Sequence, residues 1–260
     1  MSARNSAAPN VLVADGAKIE YVDLPGQGPV DVVLLHEGLG SVAMWRDFPA
    51  QVAAATGART LAYSRRGYGK SDPADLPRRT DYMHEEARVA LPAVLAARGI
   101  TRPVLIGHSD GASIAILYAA RHDVAGLILM APHVFVEDIT IASIEEAKTV
   151  YETTALRDRL GRYHDDVDHA FWGWNDIWLH PDFRAWNIEE ALPKITAPVL
   201  IIQGEDDQYG TVAQVDAIER QVAGPCRRLM LPACKHSPHR DQPEATLSAI
   251  SDFMAEIASR

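Results

Sequence analysis

Short apolar runs alternate with longer amphipathic stretches along most of this chain. Runs that are apolar at nearly every position, a pattern typical of strands buried on both faces, lie at 30–35, 59–63, 104–106, 124–131 and 198–203, and a further strand is predicted at 226–231. Polar and apolar residues alternate around Asp15-Gly16, which predicts an antiparallel hairpin over 11–24. Helical periodicity lies between the later strands, at 44–48, 80–98 with Pro92 inside it, 112–120, 211–222 and 242–259. The pattern predicts a doubly wound α/β fold, in which helices cover both faces of a mostly parallel sheet.

The alternation of strands and helices stops between residues 132 and 193. This segment predicts several helices rich in aromatic residues, and it contains four of the five tryptophans (Trp172, Trp174, Trp178, Trp186). A chain of 260 residues suits one large core better than two domains with a linker. We therefore predict an α/β core built from 1–131 and 194–260, with a helical lid insertion at 132–193.

The sequence Gly107-His108-Ser109-Asp110-Gly111 lies between a predicted strand and a predicted helix. The G-x-S-x-G pattern in this context is typical of a nucleophile elbow, a strained turn that lifts a serine hydroxyl clear of the sheet. Glycines are needed two residues either side, because larger side chains would collide with the neighbouring strand and helix. Ser109 is therefore the candidate nucleophile, and the backbone N–H of Asp110, at a helix N-terminus, is a candidate donor to an oxyanion.

A nucleophilic serine needs a base, and the base needs a carboxylate that orients it. Two later strands end in loops that carry these groups, with Asp206 and Asp207 after the strand at 198–203 and His236 after the strand at 226–231. The carboxyl ends of parallel strands meet at one edge of the sheet, which is where sites in such folds lie. Spacing from Gly204 favours Asp207 over Asp206 as the orienting carboxylate.

The order Ser109, Asp207, His236 resembles that of the α/β-hydrolase superfamily, in particular its lid-bearing, cofactor-independent serine hydrolases. The resemblance implies Ser109 as nucleophile, His236 as general base and Asp207 as the carboxylate that orients the base. It also implies an oxyanion hole formed by the backbone N–H groups of Gly38 and Asp110. It implies hydrolysis of a carboxylic ester or thioester through an acyl-enzyme. Two alternatives remain open: a carbon–carbon bond hydrolase of the meta-cleavage-product type with the same triad, and a non-catalytic small-molecule binding protein.

This chain departs from the family pattern at Glu37, because many members have glycine after the histidine that begins this loop. A carboxylate pointing inward would oppose an oxyanion, so we expect it to pair away from the reacting atoms, with Arg65 or Arg66 as partner. His36 and His108 are interpreted as loop-anchoring and packing residues. Glu37 is included in the predicted substrate pocket.

The predicted pocket also includes Trp172, Trp174 and Trp178. Residues 171, 174 and 178 share one helical face, so at least two tryptophans should face the sheet above Ser109. Aromatic walls favour flat or medium-length apolar acyl groups over acetate. A purely structural role for these aromatics is the alternative.

Charge and composition narrow the range of partners. Acidic residues outnumber basic ones, 35 to 25, and are scattered along the chain, so neither nucleic acid nor an anionic membrane is an expected partner. The first ten residues contain no apolar segment and no run of 18 apolar residues occurs, which predicts a cytoplasmic protein. Cys226 and Cys234 are too poorly placed for a disulfide and are expected to be thiols.

We expect no metal and no cofactor. The histidine pairs His236 with His239 and His164 with His169 lack a third ligand at helical spacing. The expected partner is a small-molecule acyl substrate, bound by a monomer or homodimer.

Overall fold

The computed structural model describes residues 9–259. The strands of this part of the chain are β1 (Asn10–Ala14), β2 (Ala17–Leu24), β3 (Val32–Leu35), β4 (Thr60–Tyr63), β5 (Val104–His108), β6 (Gly126–Met130), β7 (Val199–Gly204) and β8 (Cys226–Leu231). They form one sheet in the order β1-β2-β4-β3-β5-β6-β7-β8. β2 pairs antiparallel with β1 and with β4, and all other neighbours pair parallel. The predicted doubly wound fold with an N-terminal hairpin is confirmed.

Helices cover both faces of this sheet. They are α1 (Phe48–Thr56), α2 (Tyr82–Glu85), α3 (Leu91–Arg98), α4 (Asp110–Ala119), α5 (Asp138–Thr153), α6 (Leu156–Leu160), α7 (Val167–Trp178), α8 (Val212–Gln221), α9 (Pro238–Asp241) and α10 (Pro243–Ala258). Successive strand residues point to opposite faces, so Val33 and Leu35 join the core layer beneath α3 and α4, while Val32 and Leu34 join the layer beneath α1 and α10. All four side chains are fully buried, which explains the unbroken apolar runs of the sequence.

Two predicted helices differ from the structure in detail. The helix expected at 80–98 contains a π-helical turn at Glu86–Ala90, and Pro92 lies in the first turn of α3. The backbone at Ala90 and Leu91 stays right-handed helical, so the helix continues across this junction. The wider π-helical turn before Pro92 accommodates the hydrogen bond that a proline cannot donate. The helix expected at 44–48 is divided into a 3₁₀ turn at Ala43–Trp45 and α1, because Arg46 between them has a φ of 53°.

The segment between β6 and β7 contains α5, α6 and α7 and two 3₁₀ turns, at Pro181–Ala185 and Glu189–Lys194. Asp166 caps α7 by accepting a hydrogen bond from the backbone N–H of His169 at 3.0 Å. We call residues 132–193 the helical insertion. Within residues 9–259, no helix is both long and apolar enough to cross a membrane. Cys226 and Cys234 are both free thiols.

Candidate active site

Ser109 lies at the turn between β5 and α4 with φ 53° and ψ −117°. This is a strained conformation for a residue with a side chain, of the kind that persists only where its surroundings impose it. A Cβ atom at Gly107 would overlap the backbone of Ala112, and one at Gly111 would overlap the carbonyl group of Leu35. The close approach of β3, β5 and α4 therefore requires both glycines and holds the serine at the end of its strand.

His236 and Asp207 are joined by a hydrogen bond at the carboxyl ends of β8 and β7. Nδ1 of His236 lies 2.9 Å from each carboxylate oxygen of Asp207. Burial raises the pKa of Asp207, but the charge and hydrogen bond of His236 and the backbone N–H of Tyr209 outweigh it, so that the pKa is lowered. The ionised carboxylate keeps the proton of His236 on Nδ1 and leaves Nε2 free to act as a base.

Asp206, the competing candidate, is differently placed. Its backbone N–H donates to the carbonyl oxygen of Cys234, and within residues 9–259 its carboxylate makes no hydrogen bond or ion pair. Asp207, by contrast, also accepts a hydrogen bond from Nε2 of Gln203 at 2.9 Å. The geometry thus joins Asp207, and not Asp206, to the histidine.

Ser109 and His236 line one cavity of about 140 Å³, together with Gly38 and Asp110. Within the described chain, neither the Gly38 nor the Asp110 backbone N–H donates a hydrogen bond, so both donors are available to a ligand oxygen. The described side chains form no direct hydrogen bond between Ser109 and His236, an arrangement that commonly tightens only when substrate binds. A larger cavity of about 260 Å³, beside β2 and α1, is lined by no serine or histidine.

The structure corrects the partner expected for Glu37. Its carboxylate lies 3.3 Å from Nδ1 of His108, whereas Nη2 of Arg65 donates to the backbone carbonyl oxygen of Glu37 at 2.9 Å. The Arg66 guanidinium donates to the carbonyl oxygen of Pro73 instead. The expected Glu37–arginine ion pair was wrong, because the β3 loop turns this side chain toward β5.

His108 therefore does more than fill space in the core. Its Nε2 lies 2.6 Å from the backbone carbonyl oxygen of His236, so this nitrogen carries a proton and donates. The two ring nitrogens of His108 thus connect the loop that contains Glu37 and Gly38 to the loop that contains His236. Burial raises the pKa of Glu37, but the hydrogen bond and charge of His108 outweigh it and hold the pKa well below its ordinary value.

The helical insertion covers the cavity through α5 and α7. Trp174 and Trp178 line the cavity, whereas Trp172 does not. Trp172 lies on the other side of α7, packed edge-on against Tyr151 and Phe171. The indole of Trp174 rests against Gly38, where it occupies the space that a Cβ atom would need. The expected tryptophan wall is present, with Trp172 excluded from it.

Sequence reasoning missed several cavity residues, namely His133, Thr140, Ile144 and Tyr209. His133 follows β6 by three residues, and Tyr209 lies in the loop after β7. The rule that sites form at the carboxyl ends of parallel strands could have identified both. No group of three or more histidine, cysteine, aspartate or glutamate side chains within residues 9–259 is arranged to hold a metal ion.

Comparison with known proteins agrees with this architecture. The profile of the alpha/beta hydrolase family matches residues 32–249. The bifunctional esterase/perhydrolase DCH of Acinetobacter calcoaceticus is 29% identical over 234 residues, covering 76% of this chain and 82% of that protein. The human serine hydrolase BPHL is 25% identical over 247 residues, covering 88% of this chain and 80% of that protein.

The enol-lactonase from Burkholderia xenovorans superimposes with a TM-score of 0.75 at 19% identity, covering 95% of this chain and 100% of that one. This chain belongs to the α/β-hydrolase family. It is a hydrolase enzyme.

Proposed function

We propose that this protein is a serine hydrolase that cleaves a carboxylic ester or thioester through an acyl-enzyme on Ser109. The observation that carries the proposal is the two-oxygen contact of Asp207 with Nδ1 of His236, beside a serine held in a strained turn of the same cavity. A nucleophile, a base and an orienting carboxylate are the three groups that acyl transfer requires. A protein that only binds its ligand has no use for this combination.

The reaction proceeds in two halves. Nε2 of His236 removes the hydroxyl proton as Ser109 attacks the substrate carbonyl, and Asp207 stabilises the imidazolium that forms. The backbone N–H groups of Gly38 and Asp110 stabilise the oxyanion. The imidazolium then protonates the leaving alcohol or thiol. Water, activated by His236 in the same way, releases the carboxylic acid and regenerates Ser109.

The size and lining of the cavity support a small acyl substrate. A volume of about 140 Å³ is small beside the several hundred cubic ångströms that drug-sized ligands occupy. Trp174, Trp178 and Ile144 supply apolar surface, and no lysine or arginine lines the cavity. The names of the relatives, an esterase/perhydrolase and a serine hydrolase, favour the same reaction class.

The test combines turnover with covalent labelling. Wild-type protein should hydrolyse p-nitrophenyl butanoate and the matching butanoyl thioester. A fluorophosphonate should add one label per chain, located on Ser109 by peptide mass spectrometry, and Ser109→Ala should show neither turnover nor label. A vinylogous diketone is tested in parallel. Cleavage of the diketone without ester turnover would favour the carbon–carbon hydrolase, and no turnover with any substrate would favour the binding protein.

A further inference from the structure

One cavity residue has no part in the proposed acyl transfer. His133 lines the cavity beside Ser109 and is 2% exposed. Its backbone carbonyl oxygen accepts a hydrogen bond from Oγ of Ser113 at 2.6 Å, which fixes the backbone at this point. Neither ring nitrogen makes a hydrogen bond with any described residue. Nδ1 is fully buried beside Gly210, whereas Nε2 is not fully buried and is the nitrogen that a ligand in the cavity can reach. A polar group is costly to enclose without a hydrogen-bond partner, and a ligand can supply that partner here.

The surroundings of His133 place its ring close to the reacting groups. Its centroid lies 5.6 Å from that of His236 and 5.5 Å from that of Trp178, which meets it edge-on. The N–H of Trp178 also has no hydrogen-bond partner among residues 9–259, but it is fully buried and out of reach of a ligand. The hydrogen-bonding capacity that this wall offers to a ligand is therefore that of Nε2 of His133.

The charges near this wall limit the ligand to a neutral group. Burial lowers the pKa of His133 to about 3, so its ring is uncharged at neutral pH. A carboxylate on the acyl chain would meet no lysine or arginine in the cavity lining, which instead includes the acidic residue Glu37. Nε2 of a neutral imidazole donates or accepts a hydrogen bond according to the tautomer, so the matching ligand atom is an uncharged oxygen. A carbonyl oxygen suits the tautomer with the proton on Nε2, and a hydroxyl group suits either tautomer.

We propose that His133 is a specificity-determining residue that binds a neutral oxygen, a ketone or hydroxyl, on the acyl chain of the substrate. The inference rests on the proposed ester or thioester hydrolysis and narrows its substrate class to oxygenated acyl groups. The Trp174 and Trp178 rings enclose the carbon chain, while His133 selects for the oxygen that the chain carries. An unsubstituted alkyl chain of equal length leaves the imidazole without a partner and binds less well in the transition state.

The experiment compares matched pairs of p-nitrophenyl esters: pentanoate with 4-oxopentanoate, and hexanoate with 5-oxohexanoate. The quantity measured is the ratio of kcat/KM for the oxo ester to that for the alkyl ester. His133→Phe keeps an aromatic ring but removes both nitrogens, and should lower the larger of the two ratios about 10-fold. His133→Asn restores a donor and an acceptor and should recover part of the preference. Differences in intrinsic reactivity cancel, because every variant receives the same esters.

His239 provides a matched control. It is also buried, and both its ring nitrogens lack partners, but it does not line the cavity. His239→Phe should leave the ratio within about 2-fold of wild type. If His133→Phe leaves both ratios unchanged, or if p-nitrophenyl hemisuccinate, with its carboxylate, is preferred over the oxo esters, His133 is a packing residue and the inference is wrong.

A binding measurement separates this outcome from a failure of the proposed reaction. In the Ser109→Ala background, methyl 4-oxopentanoate should quench or shift tryptophan fluorescence at a lower concentration than methyl pentanoate, and His133→Phe should remove the difference. If wild type hydrolyses no ester yet this binding preference holds, the reaction is wrong and the oxygen site stands. If esters are hydrolysed but the oxo compounds are preferred neither in kcat/KM nor in binding, the proposed reaction stands and the oxygen site does not.

Discussion

The two halves of the cavity are built by different means. On the sheet side, backbone strain and hydrogen bonds fix each group. The turn holds Ser109, and four side-chain and backbone donors hold the carboxylate of Asp207. On the side of the helical insertion, aromatic packing holds the wall. Trp178 of the wall meets Phe183 edge-on with 5.0 Å between ring centroids, and behind the wall Tyr151 stacks on Phe171 at 3.6 Å. Stacked rings tolerate exchange for other apolar groups better than a directed hydrogen bond does. The chemistry and the choice of substrate are therefore separable by mutation.

The largest effect should come from the sheet side. Ser109→Ala, His236→Ala and Asp207→Asn should each lower kcat by at least about 10³-fold, and the double variants should lose little more, because the three groups act as a unit. Steady-state kinetics on a p-nitrophenyl ester measures this, with circular dichroism as the check on folding. A chelator should not change the rate of the wild type.

Asp206→Asn is the matched control for Asp207→Asn, since the two carboxylates are adjacent and only one contacts His236. Its kcat should stay within about 3-fold of wild type. Equal losses in the two aspartate variants would mean that loop charge, and not the contact with His236, supports turnover.

A smaller loss of activity is expected when the contact between Glu37 and His108 is weakened. This contact connects two loops on the sheet side of the cavity. Glu37→Gln keeps the shape of the side chain but removes the charge that faces His108, and should lower kcat/KM about 10-fold by loosening the loops that carry Gly38 and His236. The acidic limb of the pH profile of kcat/KM should stay in place. A shifted limb would mean that Glu37 titrates during catalysis and acts chemically.

The Glu37→Gln variant should also differ from wild type in how the free energy of unfolding depends on pH. The pKa of Glu37 in the folded protein lies below its ordinary value of 4.5, so on acidification the unfolded chain takes up this proton first. The stabilisation by Glu37, about 2 kcal/mol for a buried charged hydrogen bond, is complete above about pH 5.5 and is lost as the pH falls through 4.5 toward the folded-state pKa. Urea unfolding should show the difference between wild type and Glu37→Gln shrinking from about pH 6 to about pH 4.

On the side of the insertion, substitutions should change the preference among acyl chains more than the rate of the acyl-transfer step. Hexanoate should exceed acetate by roughly 10-fold in kcat/KM with the same leaving group, because its extra methylenes are buried against Trp174 and Trp178. Trp178→Ala should remove most of that preference. Trp172→Ala, on the far side of α7, is the control and should keep it. A preference that survives Trp178→Ala would place the acyl chain elsewhere.

The smallest expected effect lies at the start of α7. Asp166→Ala removes the side-chain cap on the backbone N–H of His169 and should lower the free energy of unfolding by about 1 kcal/mol. Hydrogen exchange should speed up in the first turn of α7 and not in β5 or β6. Faster exchange across the sheet would show that insertion and core unfold as one unit.

Sequence was sufficient where neighbours along the chain determine the structure. The elbow of Ser109 depends on two glycines within five residues, and the positions of Asp207 and His236 follow from parallel strands ending at a common edge. Each of these constraints is visible in a short window of sequence. The sheet and its covering helices follow from hydrophobic periodicity in the same way.

Sequence failed where the direction of a side chain depends on tertiary contacts. Nothing in the chain order places Glu37 against His108 rather than Arg65, because His108 ends β5 and Arg65 follows β4, and both strands are neighbours of β3. Helical periodicity put Trp174 and Trp178 on one face but could not exclude Trp172, which is itself half-buried among other aromatic rings. The role inferred for His133 depends on what its ring does not contact, and that is a property of the folded molecule alone.

The contact of Trp174 with Gly38 has a consequence for engineering. Exchanging the insertion of this enzyme for that of a relative would ordinarily be treated as a modular graft onto an unchanged α/β core. Here the indole of the insertion occupies the space beside a glycine of the oxyanion loop, so the two parts share a boundary at which neither can be redesigned alone. A graft that removes the indole leaves a gap over the loop, and one that enlarges position 38 collides with the native insertion. Successful chimaeras should therefore carry positions 38 and 174 together, as a single transferable unit.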